Sequence, residues 1–174
     1  IAAAIRQCYS ADGAEELTAR LSKQKQIDLL HKVLQSGHLS TIEHVSFTFA
    51  IEGITRACSH QLVRHRLASF SQQSQRYLAL DKKEPSMVIP PSVKKDKKLA
   101  EIFIQNLENS YLAYLNALTN GIKPEDARFL LPQAMETKIV MTMNCRSLLN
   151  FFQERLCNRA QWEIHLLAQK MLEL

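Results

Sequence analysis

Two spacings of apolar residues run through this chain, and the switches between them mark out its elements. Ile27, Leu30 and Leu34 fall on one stripe at helical spacing within residues 24 to 36, and the run stops at Gly37, so a helix is expected there. Shorter helical patterns cover 2 to 9 and 13 to 21. At 45 to 51 the run VSFTFAI alternates in twos and is rich in β-branched and aromatic residues, which predicts a strand, and TKIVMTM at 137 to 143 predicts another. Ile54, Cys58 and Leu62 recur every four residues, predicting a helix from Ile54 to about Arg66 with Arg64 to Arg66 at its C-terminal end. The Ser/Gln-rich stretch that follows reads as a polar segment. SMVIPPS at 86 to 92 is a short extended piece broken by proline, and 97 to 119 is a long amphipathic helix ending before Gly121. Pro124 opens a short helix that closes before Pro132, and one or two helices run from Arg146 to the end. The result is an α+β layout in a single domain, 1–174, without repeat, low-complexity tract or linker.

At 174 residues the chain can bury about two thirds of its unfolded surface. With 46% hydrophobic and 22% charged residues it has an ordinary globular composition, which excludes a disordered chain. No apolar run approaches the roughly 20 residues of a membrane span, and IAAAIRQCYS lacks the features of a signal peptide, so a cytoplasmic protein without membrane contact is expected. Four cysteines, at 8, 58, 145 and 157, form no C-x-x-C pair, which argues against a disulfide framework or a structural metal. His38, Glu43, His44, His60 and His65 show no zincin spacing, and no metal site is expected from them.

Charge changes the picture more. The formal net charge is +5, but lysine and arginine are segregated. Lysines gather at 23 and 25, at 82 and 83, and in KKDKK at 94 to 98, which suits solvated surface. No Asp or Glu occurs from Gly53 to Leu80, yet that zone holds Arg56, Arg64, Arg66 and Arg76. Guanidinium groups suit bidentate binding of phosphate or carboxylate, so an anion site is expected in this zone. A plainer reading makes Arg64 and Arg66 cations at a helix end, favoured by its dipole. That reading leaves Arg76 and the serines between them without an explanation. With only four glycines, at 13, 37, 53 and 121, neither G-x-G-x-x-G nor a P-loop can be written, so side chains must hold any phosphate.

RHRLASFSQQSQRY resembles the signature of the flavin-dependent thymidylate synthases, R-H-R, seven residues, then S, filled here by Arg64, His65, Arg66, LASFSQQ and Ser74. GHLSTIEHVSFTF at 37 to 49, ARFLLP at 127 to 132, NCRSLLNFF at 144 to 152 and RAQWEI at 159 to 164 agree in the same order. The resemblance implies the family's α+β fold, a mostly antiparallel sheet packed with helices. It also implies a strand before AAAIRQCYS. The implied activity is transfer of a methylene from 5,10-methylenetetrahydrofolate to dUMP and its reduction by a hydride that NADPH first gives to FAD. No protein nucleophile is required. The implied assembly is a homotetramer with shared sites.

Position by position, the resemblance implies FAD contacts from His38, Ser40, Glu43, Arg64, His65, Arg66, Ser71, Gln72, Asn144, Arg146 and Asn150. It implies dUMP contacts from Gln61, Arg64, Gln72, Gln73, Ser74, Gln75, Arg76, Arg128 and Arg155, with Ser74 and Arg76 at the phosphate. Arg128 would come from another subunit, and Arg155 would meet the uracil ring as the catalytic side chain. Ser71 and Gln72 stand where many members have Asn-Glu, and Arg159 where some have histidine. Without the family, Arg146, Asn150 and Glu154 could be an exposed helical row, and Arg155 a surface cation paired with Glu154 or Glu163. Two further readings remain: a basic nucleic-acid-binding module with Phe70 and Tyr77 as stacking platforms, and a flavin-binding homologue without catalysis.

Overall fold

The computed structural model describes residues 1–80 and 86–174, so the lysine pair at 82 and 83 lies outside the described residues. Helices α1 (Ala2–Gln7), α2 (Ala14–Arg20) and α3 (Lys23–Gln35) pack together at the N-terminal end. α3 stops at Gly37, whose φ of 80° only glycine adopts without strain. Its stripe is only partly covered, and Ile27 stays 40% exposed. A 3-10 turn, Leu39–His44, then leads into β1 (Ser46–Thr55).

β1 is longer than the alternation predicts. Gly53, at φ 74°, absorbs an irregularity between Ile51 and Ile54, so Ile54 and Thr55 still pair with β3, opposite Thr137 and Glu136. Helix α4 (Arg56–Leu62) therefore starts two residues later than expected, and Arg64 to Arg66 lie beyond its end instead of inside it. The four-residue spacing misled because Ile54, Cys58 and Leu62 all reach the same core, the first from a strand end. β2 (Ala68–Gln72) is a strand that the polar composition hid. Ala68, Phe70 and Gln72 are half-buried, while Ser69 and Ser71 are exposed.

After Met87 bridges to Met135, a short α5 (Pro91–Lys94) and the 23-residue α6 (Lys97–Thr119) follow, the latter capped by Asp96 accepting from the Leu99 N–H at 3.0 Å. α6 anchors the end of the arginine segment: the Tyr111 hydroxyl donates to the Leu80 carbonyl at 2.6 Å, and the Leu80 N–H donates to the Tyr114 hydroxyl at 2.9 Å. α7 (Pro124–Ala127) and a 3-10 turn, Arg128–Leu130, precede β3 (Glu136–Asn144), then α8 (Cys145–Arg155) and α9 (Trp162–Glu173).

The sheet order is β1-β3-β2, antiparallel throughout. α4, α8 and α9 cover one face, where Met141, Phe151 and Ile164 are fully buried. The other face, with Thr48, Ala50 and Val140, is open in the single chain. Because β1 and β2 flank β3, they run parallel to each other, and the chain must cross over between them. It leaves β1 opposite Glu136 and begins β2 opposite Met143. The crossover thus carries Arg64 to Leu67 to the end of β3 where α8 begins.

One buried carboxylate fixes the start of that crossover. Glu163, 6% exposed, accepts from the Thr55 N–H and the Thr55 hydroxyl, both at 2.7 Å, and Thr55 Oγ1 in turn accepts from the Cys58 N–H at 2.9 Å. Glu163→Ala leaves two buried donors without an acceptor and should cost roughly 2–4 kcal/mol in denaturant unfolding, with a smaller loss for Glu163→Gln.

Candidate functional site

The end of the crossover and one face of α8, from Asn144 to Arg155, enclose a cleft of about 570 Å³. Arg64, His65, Arg66 and Leu67 form one wall, and Asn144, Arg146, Ser147, Asn150, Glu154 and Arg155 form the other, with Glu43 from the 3-10 turn at the rim. The α8 row is the i, i+4 set legible in sequence, and it lines the cleft instead of facing open solvent. Asn144 ends β3 and caps α8, its Oδ1 accepting from the Ser147 N–H at 2.8 Å. Arg146 Nη1 donates to Glu43 Oε1 at 2.5 Å. His38 and Ser40 sit on or beside that same 3-10 turn, both exposed, outside the lining of the cleft.

Arg155 is held at the inner end. Its Nε donates to His65 Nε2 at 2.9 Å, and its carbonyl meets His165 Nδ1 at 3.0 Å. The expected surface pairings are not what forms. Glu163 is committed to Thr55, and Glu154 turns to Asn150 at 3.3 Å and to His65 at 3.9 Å. The His65 side chain is 9% exposed and packs against Phe151 edge-on, with ring centroids 5.0 Å apart. Burial lowers the pKa of His65, the Arg155 charge lowers it further, and Glu154 opposes both.

A second, smaller depression of about 190 Å³ lies at the other end of α4, lined by Arg56, His60, Gln75, Arg128, Phe129 and Gln133 among others. Arg56 Nη1 donates to the Gln73 carbonyl at 3.4 Å, and Arg128 Nε to the Glu125 carbonyl at 3.1 Å. Burial, and secondarily Arg128, depress the pKa of Arg56. Arg76 is not without an acid once the chain folds. Its Nε lies 3.5 Å from Glu125, its Nη2 donates to the Tyr77 hydroxyl at 2.6 Å, and its guanidinium rests 4.6 Å over the Tyr77 ring. Ser74 Oγ accepts from the Arg76 and Tyr77 N–H groups at 3.1 and 3.4 Å, holding that turn.

The expected nucleotide side chains therefore divide. Gln75 and Arg128 meet in the second depression, with Ser74 and Arg76 in the adjoining turn, whereas Gln61 is half-buried on α4. Gln72 is turned inward, donating to Ser59 Oγ at 2.9 Å and Thr137 Oγ1 at 3.2 Å. Gln73 joins the Lys138 carbonyl through its N–H and lines a separate cavity beside Glu52 and Tyr111. Ser71 is exposed on the outer face of β2.

The model of the thymidylate synthase complementing protein family matches residues 1–174. The chain belongs to this family. It is similar to the flavin-dependent thymidylate synthase of Clostridium tetani, 48% identical over an alignment covering 99% of this chain and 75% of the relative. The flavin-dependent thymidylate synthases of Geobacter sulfurreducens, 49% identical with 100% and 75% covered, and Pyrococcus furiosus, 48% identical with 95% and 68% covered, are similar too. Membership leaves open which side chains of this chain do what, and the geometry adds candidates that sequence reasoning passed over. Arg56 and His60 were visible in the acid-free zone, but only the fold sets them beside Arg128. Ser147 and Leu67 line the main cleft without any sequence signal beyond their neighbours. Phe70 packs against the core, which removes one of the two stacking platforms of a nucleic-acid module.

The cysteines also separate. Cys58 is fully buried, and burial, with Glu163 nearby, pushes its thiol up to about 12, so it is inert as a nucleophile. Cys157 has its pKa lowered by hydrogen bonds from the Arg159 backbone and side chain. Alkylation followed by mass spectrometry should therefore label Cys157 well before Cys58, which reacts only on unfolding. Early labelling of Cys58 in the folded protein would contradict the packing described.

Proposed function

We infer that this chain catalyses the reductive methylation of dUMP to dTMP, with 5,10-methylenetetrahydrofolate as carbon donor and NADPH-reduced FAD as hydride source. The observation that carries the inference is the convergence of Arg64, Arg66, Asn144, Arg146 and Asn150 on one cleft that also holds Arg155, in a member of this family. The donor set fits FAD: three guanidinium groups match a pyrophosphate, carboxamides match the ring heteroatoms, and a volume near 570 Å³ is of ligand-binding size. Arg64, His65, Arg66, Asn144, Arg146 and Asn150 would hold it, with Glu43 orienting Arg146 and His38 and Ser40 reaching it from the rim. When bound, FAD supplies the hydride chemistry that no side chain can.

The chain's own residues bind, orient and polarise. Ser74, Gln75, Arg76 and Arg128 are assigned to the dUMP phosphate end, and Gln61 and Arg64 to the nucleotide beside the flavin. Gln72 and Gln73, held by Ser59, Thr137 and Lys138, are assigned a supporting part, keeping β2 and the Ser74 turn in place. Arg155 is the catalytic side chain. Attack by uracil C5 on an electrophilic methylene needs electron density from the pyrimidine, which is greatest as O4 and O2 gain negative charge. A guanidinium remains protonated at working pH, so Arg155 acts as a fixed cation for that charge and not as a general base.

The same reading includes a homotetramer in which Arg128 serves a neighbouring subunit's nucleotide. Three features support shared sites. Phe129, beside Arg128, is 85% exposed; Leu67, beside the arginine run, is 79% exposed; and one sheet face, with Thr48, Ala50 and Val140, is open.

Arg155→Ala should cost roughly 100-fold or more in kcat while FAD remains bound, the scale of losing one preorganised electrostatic donor, and Arg155→Lys should recover little. Near-normal dTMP formation by Arg155→Ala at saturating dUMP would return Arg155 to a surface role. Shared sites have their own check: inactive Arg128→Ala subunits mixed with inactive Ser74→Ala subunits should regain activity. A mixture as dead as its components, or an active monomer in sedimentation, would rule out sharing.

A further inference from the structure

Arg155 is the last residue of α8, where the helix no longer fixes a side chain by its neighbours, and the chain turns away at Leu156. A charge meant to meet one atom of a substrate needs an anchor there. The anchor present is not a carboxylate but a ring nitrogen, His65 Nε2, at 2.9 Å from Arg155 Nε. A guanidinium has only donors, so this contact forms only while Nε2 carries a lone pair, which fixes His65 as the neutral tautomer with its proton on Nδ1. The His65 ring is itself held edge-on by Phe151, and its backbone N–H donates to the Leu62 carbonyl at 3.1 Å, fixing the turn that carries it.

We propose that neutral His65 is the positioning residue of Arg155, and that protonation of its Nε2 releases the guanidinium and switches turnover down. This rests on the uracil role assigned to Arg155 above. The arrangement is bistable for a simple reason: the protonated imidazole loses the acceptor and puts two cations in contact in a largely buried place. The charged groups facing His65 decide the balance. From α8, Arg155 favours the neutral ring, while Glu154 at 3.9 Å favours the protonated one. Arg64 and Arg66, on its own turn, line the same cleft as cations. From α9, His165 touches only the Arg155 carbonyl, and Glu163 is spent on Thr55. The pKa of His65 lies below the ordinary histidine value, so the ring is neutral at neutral pH and activity should fall as the pH drops into the acid range.

The test combines a spectroscopic and a kinetic reading on the FAD-loaded protein. Long-range proton–nitrogen NMR of histidine-labelled protein should show an unprotonated Nε2 on His65 at neutral pH, and Arg155→Leu should move its titration midpoint upward. At saturating dUMP and FAD, His65→Leu should lower kcat roughly 10- to 100-fold, the scale of losing a hydrogen bond to a charged group. His65→Gln, which keeps an oxygen acceptor but cannot titrate, should recover part of that loss and flatten the acid limb of the kcat profile. A proton on Nε2, a midpoint that ignores Arg155→Leu, equal losses of kcat in the two His65 variants, or an acid limb in His65→Gln as steep as that of the unsubstituted protein would each overturn the proposal. If Arg155→Leu shifts the midpoint but leaves kcat intact, the pairing stands and the uracil role of Arg155 falls.

Discussion

The architecture turns on β3 pairing with two strands at once. Because β1 and β2 lie on either side of it and run the same way, the twelve residues from Arg56 to Leu67 must cross the sheet from its Glu136 end to its Met143 end. α4 spans that distance with Cys58, Ser59 and Leu62 buried, and its departure is fixed by the Thr55–Glu163 contact. The crossover thereby delivers Arg64, His65 and Arg66 against α8. The cleft follows from strand order more than from any local feature of the arginine segment.

Electrostatics then divide that segment. In the linear chain its arginines have no acid within reach, and the fold supplies Glu125 to Arg76 from α7, while Glu43 is drawn to Arg146. Both pairs are exposed enough that they contribute little to stability, and both leave donors free to turn to a ligand. Arg64 and Arg66 face the cleft, and Arg56 and Arg128 face each other across the smaller depression. Arg155 differs from Arg76 and Arg146 in resting on a neutral side chain, His65, and not on a carboxylate. On the proposed reading, that distinction suits it to stabilising charge that develops during reaction and not merely charge already on a bound phosphate.

Much of the fold could be read from spacing. Residues 97 to 119 gave the long helix to the residue, and the two strands with β-branched alternation were placed within a few positions of their ends. The failures have physical causes. β2 is five residues of mostly polar side chains at a sheet edge, where pairing with β3 and burial of Phe70 outweigh composition. The start of α4 was blurred because Gly53 lets the strand continue through a bulge, with Ile54 reaching the helical core. For the site, the motifs located many of the cleft residues, since Glu43, Arg64 and Asn144 come from three blocks that only the fold unites. What no sequence pattern could give is pairing: that Gln72 turns inward, that Arg76 finds Glu125, and that Arg155 leans on His65 instead of on Glu154. Those depend on distances between elements up to 90 residues apart.

The most direct measurement of the central claim is a crystal structure of the protein with FAD and dUMP bound. Flavin density lying along the wall from Arg64 to Asn150, with the uracil ring against Arg155, is the expected result. A flavin bound elsewhere, with the cleft between the crossover and α8 left empty, would contradict it.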